Sequence, residues 1–558
     1  MKQSKQQHRV FMWLMVIAIA MNLTGLSNAF AEEKAKNVIV LIADGCSSEQ
    51  YTFARWFKGA PLSFDSIQVG GVKTYVADSV IADSAPAATA YATGVRSSDK
   101  FISVGPQQDT LFCVPTPEAG LQYRPLATLL EGARLQKKAT GIVATSRVSH
   151  ATPAAFVSHS PSRNLEQDIM EQAVYQNLDV VFGGGKGYLL PKDAGGKRSD
   201  GENLLDVLKN QGYQVIETRE EMADLKPGKT FGMFAASHMD PEIDRVQNHP
   251  SQPTLREMTE KAIGLLSRNP DGFFLMVEGS QIDWACHAND PAHLLSDMLA
   301  YDAAVEAALE FARKDGHTLL IALSDHNTGG FSIGNYATGE TYSQMKLDAF
   351  LSPFRNMKVS SAALWEKVKN NKTPENVIEV VKGGWGMNIT SDDASAILDL
   401  SEKYKNVPFY AFGESLSAKY TFAGWTTHGH CGGDVPLFAL GPGKPSGLLD
   451  APEIAKTCAI GMGLNLNKLN QRLFVDAQEE FDSVTIDQSQ PENPVAKILY
   501  QGKAAQLPVN KNHLEISEKR YLLEGVVVYA PKTGKVYIPL QAVQLIKGMQ
   551  KRLPSISL

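Results

Sequence analysis

Asn37-Val38-Ile39-Val40-Leu41-Ile42-Ala43, closed by Asp44, is a continuous apolar run of strand length. A strand with one wet face alternates polar and apolar residues. An unbroken run instead fits a central strand covered on both faces. Runs of the same kind recur at 141–145, 180–182, 272–277, 318–323 and 436–440. Helical patterns lie between them. Thr254 is placed to cap a helix carrying Leu255, Met258, Ala262, Leu265 and Leu266, which ends before Pro270. A second helix spans about 297–313 and is stopped by Gly316. Strands alternating with helices predict an α/β fold, a three-layer sandwich with a large, mostly parallel central sheet and helices on both faces.

Residues 331–420 are more polar, rich in Lys, Asn and Ser, and helical by pattern, so they read as an inserted cap over the open end of the sheet. Residues 466–490 read as a linker. Beyond Pro491, the stretches 496–500, 523–529 and 535–540 read as strands, with a turn at Pro531-Lys532-Thr533-Gly534 between the last two. This predicts a small β-rich appendage over 491–558. Its KVYIPL stretch is weakly similar to a copper-amine-oxidase N-terminal-like module. At the other end, Lys2, Lys5 and Arg9 precede an apolar run, and Ala29-Phe30-Ala31 is a small-residue cleavage pattern. Residues 1–31 therefore read as a secretory signal peptide, and the remaining chain, 32–465 and onward, as an exported protein found in a periplasm or outside the cell. No later segment has the length of uninterrupted apolar sequence that a membrane span needs. Hydrophobic residues are 43% of the 558, charged residues 20%, and the formal net charge is −6. That is a globular balance, and without a basic excess no nucleic-acid partner is indicated. The five cysteines contain no C-x-x-C, so neither a zinc ribbon nor a disulfide framework is suggested.

Several apolar runs end in residues that bind metals. Asp44 follows the first, Glu278 follows FFLMV, and Asp325-His326 follow TLLIALS. Ligands of open α/β sheets bind at the carboxyl ends of strands. Asp283 and His287 stand at i and i+4, on one face of a helix, where they could share a zinc ion. His428 and His430 lie in a glycine-rich loop before a strand. Asp83-Ser84-Ala85-Pro86 opens an Ala-rich helix, which puts Ser84 where backbone N–H groups and the helix dipole favour an anion. A serine there is commonly a cap, but it becomes a nucleophile if a metal lowers its pKa. No lipase-type G-x-S-x-G surrounds it.

Taken in order, NVIVLIADG, DSAPAATAYATG, SHATPAAF, VEGSQIDWACH, SDHNTGG and HCGGDVPLFALGPG resemble the metal-dependent, phosphoserine-forming alkaline phosphatases over about 37–442. The resemblance implies Ser84 as nucleophile and Arg163 as the phosphate-binding arginine. It implies one zinc held by Asp44, Asp325 and His326, a second by Asp283, His287 and His430, and magnesium by Asp44, Thr152 and Glu278. His430 is preferred to His428 by its spacing to Asp434. His150 and Trp284 occupy two positions that vary within the family, and together they look like one bacterial branch. The substrates implied are small-molecule phosphate monoesters, and a homodimer is also implied. The rival readings are a phosphodiesterase or sulfatase of the same superfamily, and an exported phosphate-binding protein without turnover. The appendage is open between attachment to an envelope partner and simple stabilisation.

Overall fold

Every residue of β1 (Asn37–Ala43) is buried, because a parallel strand lies on each side and helices cover each face. The computed structural model describes residues 34–107, 111 and 120–548, so the leader read at 1–31 and Cys113 lie outside the described residues. Among the described residues the central sheet has ten strands. After β1 these are β2 (Gln68–Lys73), β3 (Ala139–Arg147), β4 (Val180–Gly184), β5 (Gln214–Ile216), β6 (Thr230–Met233), β7 (Phe273–Gly279), β8 (Thr318–Ser324), β9 (Val435–Leu440) and β10 (Gly447–Asp450). Their spatial order is β10-β2-β9-β8-β1-β7-β3-β4-β6-β5. β9 runs antiparallel to both neighbours, and the remaining pairings are parallel. The large, mostly parallel sheet expected from the apolar runs is present.

Helices α1 (Ser48–Lys58), α2 (Ser84–Thr93), α3 (Leu129–Leu135), α4 (Ala151–Val157), α5 (Glu166–Tyr175), α6 (Leu255–Leu266), α7 (Gln281–His287), α8 (Pro291–Asp315) and α9 (Ala451–Met462) flank it. The alternation of β1 divides the core in two. Ile39, Leu41 and Ala43 pack with Phe53, Met258 and Met298 on one face. Val38, Val40 and Ile42 pack with Tyr91, Leu130, Phe156 and Ile454 on the other. Each such large apolar side chain contributes roughly 1.5–3 kcal/mol by leaving water, so both layers are held to the sheet by one strand's two faces. Thr254 caps α6, and its hydroxyl accepts from the Glu257 N–H at 3.2 Å. α8 is longer than the pattern suggested. Asp290 accepts from the Ala292 and His293 N–H groups at 3.0 Å each, and Pro291 fills the first turn. That start signal lies ahead of the periodic residues that drew the reading.

Residues 331–420 are largely helical, as the pattern suggested. They do not stand apart from the sheet: Phe350 and Phe354 pack on Phe53 of α1, at ring distances of 5.7 and 4.7 Å, and Trp385 is in the same core. The expected linker is a correction. Residues 466–473 form a helix (Leu466–Leu473) capped by Asn465, with Leu469 and Leu473 buried. Ser483–Asp487 is the first strand of a five-stranded antiparallel sheet. The i, i+3, i+7 spacing of three leucines was hidden by the Asn, Lys and Gln between them. The β-rich appendage thus begins ahead of Pro491. Its expected strand at 496–500 lies within Val495–Tyr500. Of 523–529 only the end joins a strand, Val528–Ala530, and 535–540 gives Lys535–Ile538 before Pro539 starts a short helix. Cys46, Cys286, Cys431 and Cys458 are free thiols. Among the described residues no helix is long and apolar enough to cross a membrane.

Candidate active site

Register brings the acidic residues to one edge of the sheet. Ala43 lies opposite Gly279 of β7 and Ser324 of β8, so Asp44, Glu278 and Asp325 emerge together. α7 then returns Asp283 and His287, and the loop before β9 supplies His430. Three sets of ligand atoms result, each lying within 4.8 Å of one another: Asp283, His287 and His430; Asp44, Asp325 and His326; and Asp44, His150 and Glu278. The first two are the sets that the resemblance implied. The third contains His150 beside Asp44 and Glu278. Thr152 lies two residues further, in the first turn of α4, with His150 at its N-cap. The His326 and His430 rings stack at 3.9 Å and join the first two sets into one centre.

The imidazoles are aimed by backbone carbonyls. His430 Nδ1–H donates to Ala82 O at 2.8 Å, and His287 Nδ1–H donates to His428 O. Each Nε2 is left facing Asp283, at 3.8 and 3.2 Å. Gly45, in the left-handed region at φ +67°, is required here, because a Cβ would sit 2.5 Å from Asp283 Oδ1 and 2.7 Å from Thr328 Oγ1. Thr328 Oγ1 donates to Asp283 Oδ1 at 2.6 Å. Ser146 Oγ donates to Glu278 Oε2 at 3.1 Å.

Charge and burial conflict at this edge. Burial, with Asp325, Asp283 and Glu278 nearby, holds Asp44 well above the ordinary carboxylate range. Burial carries Glu278 and Asp325 up to about 7. Against burial, His287, His430 and His326 keep Asp283 well below its usual value, and Asp283 in turn raises His287 to about 9. Both oxygens of Asp44, Asp325 Oδ2, Glu278 Oε1, Thr152 Oγ1 and His150 Nδ1 are buried without a hydrogen-bond partner. Buried polar atoms are nearly always paired. A cluster of orphaned oxygens with one orphaned imidazole nitrogen, its carboxylates under mutual repulsion, therefore fits cations: imidazole with carboxylate for zinc, and oxygen donors for magnesium.

Ser84 opens α2 and is 1% exposed. Its Oγ lies 3.1 Å from His326 Nε2, which places it against the Asp44, Asp325 and His326 group. Arg163 reaches the same floor. Its Nη1 donates to Asp83, the residue before Ser84, and its Nη2 donates to His150 Nε2 at 2.9 Å. Trp284 meets the His150 ring at 5.3 Å and the His238 ring at 4.0 Å. Burial, Arg163, His238 and Arg147 depress His150 well below 6.5, and burial with the two arginines takes His238 to about 3, so both rings are neutral beside the guanidinium. Sequence reading gave no role to His238, Thr328 or Asp83. Asp83 and Thr328 sat inside motifs already quoted, whereas His238 in AASHMD carries no pattern to find it by.

Residues 35–463 match the family model described as alkaline phosphatase. The chain belongs to the alkaline phosphatase family. It is 34% identical over 458 residues to alkaline phosphatase 3 of Bacillus subtilis, covering 79% of this chain and 92% of that protein. The alkaline phosphatase of Thermus thermophilus superposes with a TM-score of 0.70 at 27% identity, over 78% of this chain and 92% of that one. A histidine-to-aspartate variant of the alkaline phosphatase of the Antarctic bacterium TAB5 is described with magnesium in its M3 site; it superposes with a TM-score of 0.55 at 26% identity, over 78% of this chain and 99% of its own. The protein is a phosphoric monoester hydrolase, an alkaline phosphatase with groups able to hold metals at its active edge.

Proposed function

We propose that this alkaline phosphatase hydrolyses phosphate monoesters through a covalent phosphoserine on Ser84, served by two zinc ions and one magnesium ion. The observation that carries the reading is the placement of Ser84 Oγ, 3.1 Å from His326, on a floor shared by the metal-fitting groups. Asp44, Asp325 and His326 would hold one zinc. Asp283, His287 and His430 would hold the other. Asp44, Glu278 and Thr152 would hold magnesium, with His150 beside them. When bound, the metals supply concentrated positive charge that eases deprotonation of Ser84 and of a water and stabilises the departing oxygen.

The chain's own groups do the rest. Ser84 Oγ attacks phosphorus, the bond from phosphorus to the ester oxygen breaks, and the alcohol leaves. The Arg163 guanidinium, already held beside Ser84 by Asp83 and His150, presents a planar fork to two non-bridging oxygens. The N-terminus of α2 adds its dipole to the same anion. Water then cleaves the phosphorus–Ser84 bond, which returns the serine and releases inorganic phosphate. His150 stands in the group beside the magnesium donors, and in the TAB5 enzyme a histidine-to-aspartate variant carries magnesium in the M3 site. This supports reading the Asp44, His150 and Glu278 group as a third site tuned by His150. The leader pattern at 1–31 supports action outside the cytoplasm.

The test is p-nitrophenyl phosphate hydrolysis by the protein and by Ser84→Ala, with zinc and magnesium removed and restored, together with trapping of the phosphoenzyme. Ser84→Ala should abolish trapping and lower turnover by orders of magnitude. Unchanged turnover would remove Ser84 from the mechanism. Thr152, Glu278 and Arg163 favour monoesters over diesters, and faster hydrolysis of bis(p-nitrophenyl) phosphate would reverse that choice.

A further inference from the structure

His428, beside the ligand-type His430, has no part in the reaction described above, yet it makes the most reciprocal contact at the site. His287 Nδ1–H donates to the carbonyl of His428. His428 Nδ1–H donates back to the carbonyl of His287 at 2.6 Å. Asn289 Nδ2 ties the same two loops, reaching Cys286 O at 2.9 Å and Thr427 O at 3.0 Å. His287 is the last residue of a seven-residue helix; within that helix Asp283, one turn back, meets its ring at Nε2, 3.2 Å away, and Nδ1 is held from outside. The clasp sets both the rotation of that ring and its tautomer. With Nδ1 donating to the carbonyl, Nε2 is the nitrogen turned to Asp283, and it is the one that would give up its proton to a metal.

The other end of His428 is held by the inserted segment. Its Nε2 lies 2.9 Å from Glu414 Oε2. The Tyr404 hydroxyl donates to the same oxygen, and the Tyr410 ring stacks on His428 at 5.0 Å and 19°. Glu414 sits in a π-helical turn, Gly413–Ser417, a rare geometry that recurs at functional sites. The turn widens the helix at the position from which a carboxylate reaches the loop. With both ring nitrogens engaged, His428 belongs to none of the ligand groups.

We propose that His428 is a positioning residue for the metal at Asp283, His287 and His430, holding His287 ready to ligate and anchoring that hold on the inserted segment through Glu414. The proposal rests on the two-zinc reading above. Hydrogen-bond partners of ligand imidazoles typically set metal affinity by about 10–100-fold. The effect belongs to one metal only, because among the described residues the Asp44, Asp325 and His326 group makes no hydrogen bond to His428 or Glu414; its side chains instead meet Gly45, Ser84 and Thr328.

The experiment uses the full chain, its His428→Ala and Glu414→Gln variants, and zinc as the probe. Zinc per chain is measured by mass spectrometry across a graded series of competing chelators. The wild type should release its zinc ions over a range that His428→Ala widens, with one zinc leaving at about 10–100-fold lower chelator strength and the other unmoved. Turnover of His428→Ala should recover when zinc is added in excess. Glu414 is partly exposed, so Glu414→Gln should fold normally and show a smaller effect of the same sign. A folded Glu414→Gln and His428→Ala pair that retains both zinc ions like the wild type overturns the proposal. Equal weakening of both zinc ions also overturns it, since that is what general loosening of the fold would give. A wild-type chain that takes up no zinc overturns the two-zinc reading itself.

Discussion

Without metals, the fold should lose stability as pH rises. Glu278 is fully buried, and burial first, with the charge of Asp325 added, lifts it from 4.5 to about 7 in the metal-free fold. In the unfolded chain it keeps its ordinary value. Between those two pH values the folded state binds a proton that the unfolded state has lost, so stability falls as pH rises. The destabilisation is absent below about pH 4.5 and complete above about pH 7. At about 1.4 kcal/mol per pH unit it amounts to roughly 3 kcal/mol for this carboxylate alone. Asp325 and Asp44 act in the same direction. A bound cation takes the place of the protons and removes the effect. The assay is thermal unfolding at pH 5 and pH 8 of the chelator-treated protein, the metal-loaded protein and chelator-treated Glu278→Gln. The metal-free wild type should lose stability between the two pH values, the loaded protein should not, and the neutral glutamine should shrink the loss. If metal-free wild type and Glu278→Gln show the same slope, the claim that buried carboxylate repulsion prepares the site for cations is wrong.

Arg163→Ala should weaken product inhibition by inorganic phosphate by about 2–5 kcal/mol, the usual result of removing one partner of a buried charge pair, with little change in zinc content. His150→Asp adds a carboxylate beside Asp44 and Glu278 and should tighten magnesium by about tenfold or more, ~1.4 kcal/mol, read by titration calorimetry. Phe474 is fully buried and meets the His159 ring edge-on at 4.7 Å, so Phe474→Ala should cost about 3–5 kcal/mol of stability, measured by denaturant unfolding. For the same reason, trypsin acting on the folded protein should spare Arg472, which pairs with Glu524 at 2.6 Å; early cleavage there would restore the linker reading.

The centre of the sheet was legible and its margins were not. β1, β3, β4, β7, β8 and β9 read as strands because two covered faces demand unbroken apolar runs. β2, as QVGGVK, and β5, of three residues, lie towards the edges, where half-exposed strands are short or glycine-rich and give no such signal. The site was legible wherever a ligand follows a strand or repeats at helical spacing. It was illegible wherever a contact joins distant chain segments without a pattern. His238 meets Trp284 edge-on, and Glu414 reaches His428 from the inserted helices; neither pairing leaves a local trace. The stretch at 466–473 is obscured for a different reason: its polar composition masks the spacing of three leucines.

Asp44 stands in two ligand groups at once, with Asp325 and His326 on one side and His150 and Glu278 on the other. One carboxylate divided between two ions makes their occupancies depend on each other. Were both groups to be loaded, the first ion would pin an oxygen and withdraw charge, and the second would then meet a different ligand from the one the free protein offered. Loading and unloading would then follow a preferred order, and the history of metal exposure, as well as the final concentrations, would decide how quickly a given chain becomes active.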